Sequence, residues 1–326
     1  MKPKVSVICL AYNQNAFIRQ CLDGFVMQKT SFPFEVLVHD DASTDGTADI
    51  IREYAQKYPD IIKPIFQSEN QWSKGISIYN THICPKICGK YVAVCDGDDF
   101  WTDPHKLQKQ VRFLDRHPEY SICFHPVSVL YDDGRVELSH TKRPTDLSLN
   151  NLLTGNFIPN LSVMYRWHPK GHQVEQEIPK NIYPSDWFMH LLHAKYGKIG
   201  FLPDVMGCYR RNSGGISFVS EFGPDALHVK YGLNEMNFFI NAERIVAATI
   251  PTYHRFVKQQ ARAICSAYIR AQDLDKALHV LKICPDLMRE CVDQEDIKHW
   301  HHKFNYLFAA CVTIIVSLIM GILIFL

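Results

Sequence analysis

Short apolar runs alternate with amphipathic segments over the first 130 residues of the chain. The runs are rich in Val, Ile and Phe, which favours strands at residues 5–11, 34–41, 61–66 and 91–95. The segments between and after them predict helices at residues 16–28, 44–58, 78–87 and 104–116. This alternation is typical of βαβ units and predicts an α/β domain with a mostly parallel sheet.

The pattern changes in the second half of the chain. Residues 121–215 mix strands and loops, whereas residues 221–292 are helical in pattern, with a helix-turn-helix at 261–283. Residues 304–326 contain no charged side chain, and at ~1.5 Å rise per residue they are long enough to cross the ~30 Å hydrocarbon core of a bilayer. We therefore predict a catalytic domain at 1–217, a helical region at 218–298 and a transmembrane helix at 304–326.

Charge limits the partners and suggests an orientation in the membrane. The net charge is +1, so the chain lacks the basic field on which nucleic-acid binding depends, and no nucleic acid is expected. Lys298 and Lys303 precede the apolar stretch and no charge follows it, which favours a cytoplasmic main body. The apolar run near the N-terminus is too short for a secretory signal. The eleven cysteines lack metal-site spacing and are interpreted as reduced, buried thiols.

Acidic residues follow two of the predicted strands. Asp96, Asp98 and Asp99 come directly after the strand at 91–95, and ligands of parallel sheets gather at such strand ends. Three carboxylates this close repel one another unless a cation or hydrogen-bond donors offset them. Mg²⁺ or Mn²⁺, held by one or two carboxylates and by phosphate oxygens, fits this pattern, and a solvated acidic turn is the alternative.

The second acidic pair, Asp40 and Asp41, ends the strand at 34–41. Ser43 and Thr44 are expected to cap the following helix, so they need no functional explanation. Capping does not explain the two aspartates. A carboxylate at this edge can accept a hydrogen bond from the imide N–H of uracil or from a ribose hydroxyl.

Three segments around these residues resemble a known family. VSVICLAYNQNAFIRQCLDG, EVLVHDDASTDGTADII and YVAVCDGDDFWTDPHKLQKQVRFL are similar to the motifs of family 2 glycosyltransferases, in the right order and at strand ends. The likeness covers about residues 4–217. It implies the glycosyltransferase-A fold, in which a Rossmann-like mixed sheet binds a nucleotide-diphospho-sugar.

The resemblance also implies an activity. Such enzymes move a sugar from a nucleotide-sugar donor, by default a UDP-sugar, to an acceptor hydroxyl with inversion, in bacterial surface-polysaccharide synthesis. The divalent ion would be Mn²⁺ or Mg²⁺. Together with the apolar stretch at 304–326, this favours a glycan or lipid-linked glycan acceptor and an enzyme anchored in the bacterial inner membrane.

The family's donor site transfers to matching positions of this chain. Asp98 would bind the metal ion and Asp99 would support it. Eight of these positions would bind the sugar donor: Ala11, Tyr12, Asn13, Asp40, Asp41, Lys74, Asp96 and Gly97. Arg210 or Arg211 would also bind it.

The segment GCYRRNSGGIS, residues 207–217, resembles the family's loop that closes over the diphosphate. Arg210 or Arg211 would clamp phosphate there. Asn212 stands at the position of an expected histidine, which leaves a third protein ligand to the metal open. Gly214 and Gly215 would provide a hinge.

The general base of the family lies in an acidic pair before an aromatic residue. The matching segment here is YPSDWF, residues 183–188, in which Ser185 replaces the first acid and the role falls on Asp186. A position in the first turn of a helix is expected to keep this carboxylate ionised. The alternative is that Ser185 and Asp186 only cap the helix.

Two other functions compete with sugar transfer. A nucleotidyltransferase would need a glycine-rich, basic loop after the first strand, and LAYNQNAF contains neither Gly nor Lys. A catalytically inactive, nucleotide-binding membrane scaffold would be recognised by a lost acidic cluster or base. Both are present in this sequence.

Overall fold

A computed structural model describes residues 2–139, 145–168, 171, 173–212, 225–246, 251–285 and 287 of the chain. Two compact units are present: an α/β unit, Met1–Asn181 with Ser185–Gly215, and a helical unit, Ile182–Pro184 with Ile216–Leu326. The predicted boundaries at 217 and 298 fall outside the described residues and stay predictions.

The strands are β1 (Val5–Ala11), β2 (Phe34–Asp40), β3 (Ile62–Phe66), β4 (Tyr91–Val94), β5 (Phe100–Trp101), β6 (Tyr120–Phe124), β7 (Val127–Tyr131), β8 (Val136–Ser139), β9 (Met164–Arg166), β10 (Lys198–Phe201) and β11 (Gly207–Arg211). The α-helices are α1 (Ile18–Val26), α2 (Thr47–Lys57), α3 (Lys106–Arg116), α4 (Leu149–Thr154), α5 (Ser185–Tyr196), α6 (Ala226–Val246), α7 (Pro251–Arg270) and α8 (Leu274–Ile283).

Seven strands form the main sheet, in the order β10-β6-β9-β4-β1-β2-β3. β1 runs parallel to both of its neighbours, β2 and β4, and is buried along nearly its whole length. Its last residue, Ala11, lies opposite Asp40, so the acidic ends of neighbouring strands reach the same edge. The predicted α/β fold with a mixed sheet is confirmed. The antiparallel insertion of β9 between β4 and β6 was not anticipated.

A smaller, four-stranded sheet has the order β5-β11-β7-β8. β5 begins directly after the acidic segment and pairs with β11, where Gly207 lies opposite Trp101 and Cys208 opposite Phe100. This pairing carries the end of β11 back towards Asp98 and Asp99. Distant parts of the sequence thus meet at the edge where β4 ends.

Two predicted helices differ from the structure. α2 begins at Thr47 after Gly46, whose φ is 93°, and no side chain caps it, so the predicted capping by Ser43 and Thr44 is wrong. The segment predicted as a helix at 78–87 forms a π-helical turn, Tyr79–Ile83, and then a 3-10 turn, Cys84–Lys86. Pro85 lacks a backbone N–H, which prevents a regular helix there.

The helical unit contains the predicted helix-turn-helix. α7 and α8 pack against each other, and Asp273 caps α8 by accepting a hydrogen bond from the backbone N–H of Lys276 at 3.3 Å. Within the described parts of the chain, each helix is too short or too polar to cross a bilayer. The span predicted at 304–326 lies outside those parts.

Gly89, just before β4, tests how tightly the main sheet is packed. A Cβ at this position would lie 2.4 Å from the backbone N of Ser6 and 2.7 Å from the carbonyl oxygen of Tyr91. Backbone atoms inside a sheet cannot move aside, so we expect Gly89→Ala to lower the free energy of unfolding by about 2 kcal/mol or more. Urea unfolding followed by circular dichroism measures this.

Gly155→Ala is the matched control, because a Cβ at Gly155 has no neighbour within 4 Å. We expect it to change the free energy of unfolding by less than about 0.5 kcal/mol. Equal effects of the two substitutions would contradict the packing described for Gly89.

Candidate active site

Hydrogen bonds join the loops that follow β1 and β2. The backbone N–H of Asn13 donates to Ser43 Oγ at 2.8 Å, and the N–H of Thr44 donates to Asn13 Oδ1 at 2.8 Å. The N–H of Gln14 donates to Thr47 Oγ1 at 2.7 Å. Asn13 has a φ of 51°, a conformation that asparagine tolerates better than most residues. The two loops therefore form one connected surface, and the predicted capping residues serve this connection.

Asp40 and Asp41 are both buried at this edge but have different partners. Asp41 accepts hydrogen bonds from the backbone N–H groups of Gln71, at 2.8 Å, and Trp72, at 3.0 Å, so its carboxylate holds the loop after β3. Asp40 Oδ2 accepts from the N–H of Ser43 at 3.2 Å. Its Oδ1 is buried without a partner among the described residues. A buried acceptor of this kind is costly unless a ligand supplies a donor.

The other residues predicted to bind the nucleotide base or the diphosphate lie in the same region. Ala11 is buried, and its carbonyl oxygen accepts from the N–H of Asp41 at 3.0 Å. Tyr12 and Trp72 leave about half of their side-chain surface exposed, 49% and 51%. Lys74 is exposed and forms an ion pair with Glu69. The structure therefore gives Lys74 a protein partner near the site.

Gly97 allows the acidic segment to lie against the loop after β1. Its N–H donates to the carbonyl oxygen of Leu10 at 2.9 Å. A Cβ at this position would lie 2.1 Å from Gln14 Oε1 and 2.9 Å from Ile18 Cδ1. A side chain at this position would therefore displace the ends of the Gln14 and Ile18 side chains.

Asp96 and Asp186 share one site. Burial, followed by the charges of Asp98 and Asp186, raises the pKa of Asp96 to about 7. Asn160 opposes this rise by donating from Nδ2 to Asp96 Oδ2 at 3.1 Å. Asn160 was not predicted, because it lies in a polar turn that no motif marks.

Asp186 lies in the first turn of α5, as predicted. Burial raises the pKa of Asp186, and the backbone N–H groups of Asp186 and Trp187 only partly offset this rise. The helix start therefore lowers the pKa as expected, but it offsets only part of the rise caused by burial. A raised pKa makes the carboxylate a stronger base.

Asp98 and Asp99 contact the end of β11. The backbone N–H of Arg210 donates to Asp99 Oδ1 at 2.7 Å, and Arg210 Nη1 donates to the carbonyl oxygen of Asp98, also at 2.7 Å. Asn212 Nδ2 lies 3.5 Å from Asp98 Oδ2, at the limit of a hydrogen bond. Burial raises the pKa of Asp98, and burial followed by the charge of Asp98 raises that of Asp99.

The structure separates Arg210 from Arg211. The guanidinium of Arg210 lies 5.0 Å from the ring centre of Phe17 and 4.6 Å from that of Phe100, and it also donates to Gln20. Successive strand residues point to opposite faces, and Arg211 is exposed over the ring of Tyr131. Arg210 therefore joins the carboxylates and Arg211 does not. Gly214 and Gly215 lie outside the described residues.

Oxygen ligands in this cluster suit a hard divalent ion. Among the described residues no three His, Cys, Asp or Glu side chains form a complete metal site. Asp98 provides carboxylate oxygens beside a second carboxylate, Asp99, which already accepts from the N–H of Arg210, and Asn212 faces Asp98 with its amide nitrogen. A partial set of this kind fits Mg²⁺ or Mn²⁺ when phosphate oxygens complete the coordination.

Aromatic and histidine side chains lie near Asp96 and Asp186. The hydroxyl of Tyr79 is buried without a partner among the described residues, and the charge of Asp96 acts on it. Tyr165 Oη lies 2.6 Å from His190 Nδ1, and the charge of Asp186 acts on this tyrosine. These residues were missed because their apolar surroundings in the sequence indicate core packing only.

Comparison with known proteins gives the family. A family model described as "Glycosyl transferase family 2" matches residues 6–212. An uncharacterized protein of Mycobacterium tuberculosis is 46% identical over 214 residues, which are 65% of this chain and 60% of that protein. The chain thus spans less than two thirds of the length of this relative.

Solved structures share the fold. TarS of Staphylococcus aureus, residues 1–349 in complex with UDP-GlcNAc, has a TM-score of 0.56 at 18% identity, with 86% of this chain and 90% of that chain covered. The mannosyltransferase PcManGT of Pyrobaculum calidifontis, in complex with GDP-Man and Mn²⁺, has a TM-score of 0.50 at 19% identity, with 84% and 76% covered. The resemblance inferred from the sequence motifs is confirmed, and the chain belongs to glycosyl transferase family 2.

Proposed function

We propose that this chain transfers a sugar from a nucleotide-sugar donor to an acceptor hydroxyl, with inversion at the anomeric carbon. The observation that carries the proposal is that three half-buried carboxyl groups lie close together, near enough for the charges of Asp98 and Asp186 to raise the pKa of Asp96. Coupled carboxyl groups with raised pKa values are typical of sites that move protons. Their place beyond the carboxyl end of β4 is where sheets of this type bind ligands.

Asp186 acts as the general base in this proposal. The acceptor oxygen attacks the anomeric carbon from the face opposite the diphosphate, and its proton passes to the Asp186 carboxylate. The new carbon–oxygen bond forms as the bond to the diphosphate breaks, so a nucleoside diphosphate leaves. The raised pKa of Asp186 supports this role, since a base works best when its pKa approaches the working pH.

Asp98, with Asp99 in support, would hold the divalent ion. When bound, Mn²⁺ or Mg²⁺ neutralises the charge that develops on the departing diphosphate. Arg210 supplies a fixed positive charge next to the same carboxylates, although its guanidinium is already engaged by the protein. The Mn²⁺ bound in the structure of PcManGT supports a metal requirement.

The donor's nucleotide would lie over the joined loops after β1 and β2. The unpartnered Oδ1 of Asp40 supports a hydrogen bond from the base or the ribose, and Tyr12 and Asn13 lie at the same edge. We propose a UDP-sugar, supported by the resemblance and by the UDP-GlcNAc complex of TarS. GDP and TDP sugars are the competing donors.

The acceptor is proposed to be a glycan or lipid-linked glycan of a bacterial cell surface. The apolar residues 304–326 support a membrane anchor, with the α/β unit in the cytoplasm. A lipid-linked acceptor would then reach the site without leaving the membrane.

Asp186→Asn tests the general base. The amide keeps the shape of the side chain but cannot take the acceptor's proton, so we expect kcat to fall about 1,000-fold while the Kd for UDP stays within about twofold. Sugar transfer and isothermal titration of the full chain measure the two quantities. The control is Ser185→Ala, at the neighbouring exposed position. A kcat within tenfold of the wild type would rule out Asp186 as the base.

Asp98→Asn tests the metal ion and the donor class. Titrating UDP, GDP and TDP with and without Mn²⁺ should reveal one nucleotide whose binding requires the metal. We expect Asp98→Asn to weaken that binding about tenfold or more, because the diphosphate loses its metal-mediated contact. Asp60→Asn, an exposed aspartate before β3, is the control. Absence of nucleotide binding by the wild type would favour an inactive scaffold.

Asp96 makes stability depend on pH. Its pKa is raised from 3.8 to about 7, so between these values the native state keeps a proton that the unfolded chain has lost. The contribution of Asp96 to stability is then greatest at low pH and falls as pH rises towards 7. In EDTA at pH 8 we expect Asp96→Asn to be more stable than the wild type by about 2 kcal/mol, and to lose this part of the pH slope.

Urea unfolding at pH values from 5 to 8 measures this difference, and Asp60→Asn is again the control. An unchanged slope in Asp96→Asn would mean that another group titrates.

A further inference from the structure

Lys106, in the first turn of α3, is completely buried. Burial lowers its pKa to about 7, and no ion pair found in the described residues includes it. Its Nζ donates to Gln110 Oε1 at 2.7 Å and lies 4.1 Å from the ring centre of Trp101. Burying an amino group without a carboxylate is costly, so its contacts need an explanation.

The two partners of Lys106 hold one short segment. Gln110 Nε2 donates to the carbonyl oxygen of Ser162 at 2.8 Å, and Trp101 Nε1 donates to the carbonyl oxygen of Leu161 at 3.0 Å. These two carbonyl groups are consecutive in the 3-10 turn Asn160–Ser162, which leads into β9. We call this segment the 160–162 turn. Side chains of α3 and β5 therefore fix the position of this turn.

Lys106 and the carbonyl oxygens of Ser162 and Cys123 together set which way the Gln110 amide faces. A lysine ammonium group only donates hydrogen bonds, whereas a glutamine amide has an acceptor end and a donor end. Because Nζ requires the oxygen of Gln110, the NH₂ group must face the Ser162 carbonyl. Without the amino group the buried Gln110 oxygen loses this donor, so the amide is held less firmly against the Ser162 carbonyl.

The 160–162 turn reaches the candidate active site through its first residue. Asn160 Nδ2 donates to Asp96 Oδ2 at 3.1 Å. Asp96 lies among like charges, those of Asp98 and Asp186, and a single fixed donor therefore has a strong influence on the direction of its carboxylate.

We propose that Asn160 and Lys106 are positioning residues for sugar transfer: Asn160 orients Asp96, and Lys106 fixes the 160–162 turn through Gln110 and Trp101. This inference rests on the proposed function and on the sugar-donor contact that the family resemblance implies for Asp96. Lys106 does not contact the nucleotide-sugar. Its effect passes through the 160–162 turn to Asn160 and from Asn160 to Asp96. The two residues should therefore behave as one unit when they are substituted.

A double-mutant cycle tests this unit. Asn160→Ala removes the donor to Asp96, and Lys106→Met keeps a side chain of similar length without the amino group. We expect each single substitution to lower kcat/KM about tenfold. The kcat/KM of the double variant should then be no more than about threefold below that of the less active single variant. A loss of about 100-fold in the double variant, or no loss in Asn160→Ala, would overturn the proposal.

Stability separates positioning from loss of structure. Replacing a buried charge by an apolar side chain of similar volume is often neutral or stabilising, so Tm of Lys106→Met should equal or exceed that of the wild type. A lower kcat/KM at an unchanged or higher Tm is an effect that unfolding does not produce. If the loss of kcat/KM follows a loss of folded protein instead, Lys106 is only structural.

Two further variants sharpen the test. Gln110→Glu keeps an acceptor for Lys106 but loses the donor to Ser162, so it should lower kcat/KM as Lys106→Met does. Lys109→Met is the matched control on the same helix, because Lys109 is partly exposed and pairs with Asp103 at 2.8 Å and Asp204 at 2.7 Å. We expect it to leave kcat/KM within about twofold of the wild type. An effect as large as that of Lys106→Met would count against the proposal.

The coupling can also be read without turnover. In protein labelled with ¹⁵N at asparagine, we expect the side-chain NH₂ signal of Asn160, assigned by its loss in Asn160→Ala, to shift in Lys106→Met and stay in place in Lys109→Met. If the wild type transfers no sugar but the Asn160 signal still shifts in Lys106→Met, the proposed function is overturned and the coupling between Lys106 and Asn160 stands. No shift in Lys106→Met would overturn the coupling, whatever the activity.

Discussion

Four carboxyl groups, those of Asp96, Asp98, Asp99 and Asp186, lie partly or fully buried at one edge of the main sheet, and each ionised group makes it harder for the others to ionise. The protein offsets this repulsion with fixed donors: the Asn160 amide, the Arg210 N–H and the Arg210 guanidinium. Among the described residues, Arg210 is the cation that acts on these carboxyl groups. A divalent cation and the donors of a bound ligand would complete the balance.

The mixed sheet is what brings these groups together. The parallel register of β1, β2 and β4 leads the acidic strand ends to one edge. β5 and β11 then return Arg210 to that edge, and the turn before antiparallel β9 places Asn160 against Asp96. The chemistry therefore depends on pairings between segments far apart in the sequence.

Much of the fold was predictable, because apolar runs and strand burial are local properties. β1 has the predicted bounds, and β2, β3 and β4 end or begin within one residue of them. The start of α2 was misplaced because Ser43 and Thr44 bond across to Asn13, a partner that no local rule identifies.

Site residues that belong to a sequence motif were predictable. Site residues whose position depends on strand pairing or burial were not. The acidic residues and Asp186 follow from their motifs. Arg210 and Arg211 are equivalent in the sequence, and only the pairing of β11 shows which one faces the carboxylates. Asn160 and Lys106 could not be recognised, since their roles depend on where β9 inserts and on the burial of α3.

We proposed above that the donor's nucleotide lies over the joined loops after β1 and β2, and the way these loops are held has a consequence for how donor choice can evolve. Their scaffold depends on backbone N–H groups and on the side chains of Asn13, Asp41 and Ser43. The rings of Tyr12 and Trp72 project into solvent from that scaffold, and Trp72 contributes only its N–H to it. Either ring can therefore be exchanged during divergence without rebuilding a loop, so relatives with the same backbone are free to present different surfaces to a nucleotide.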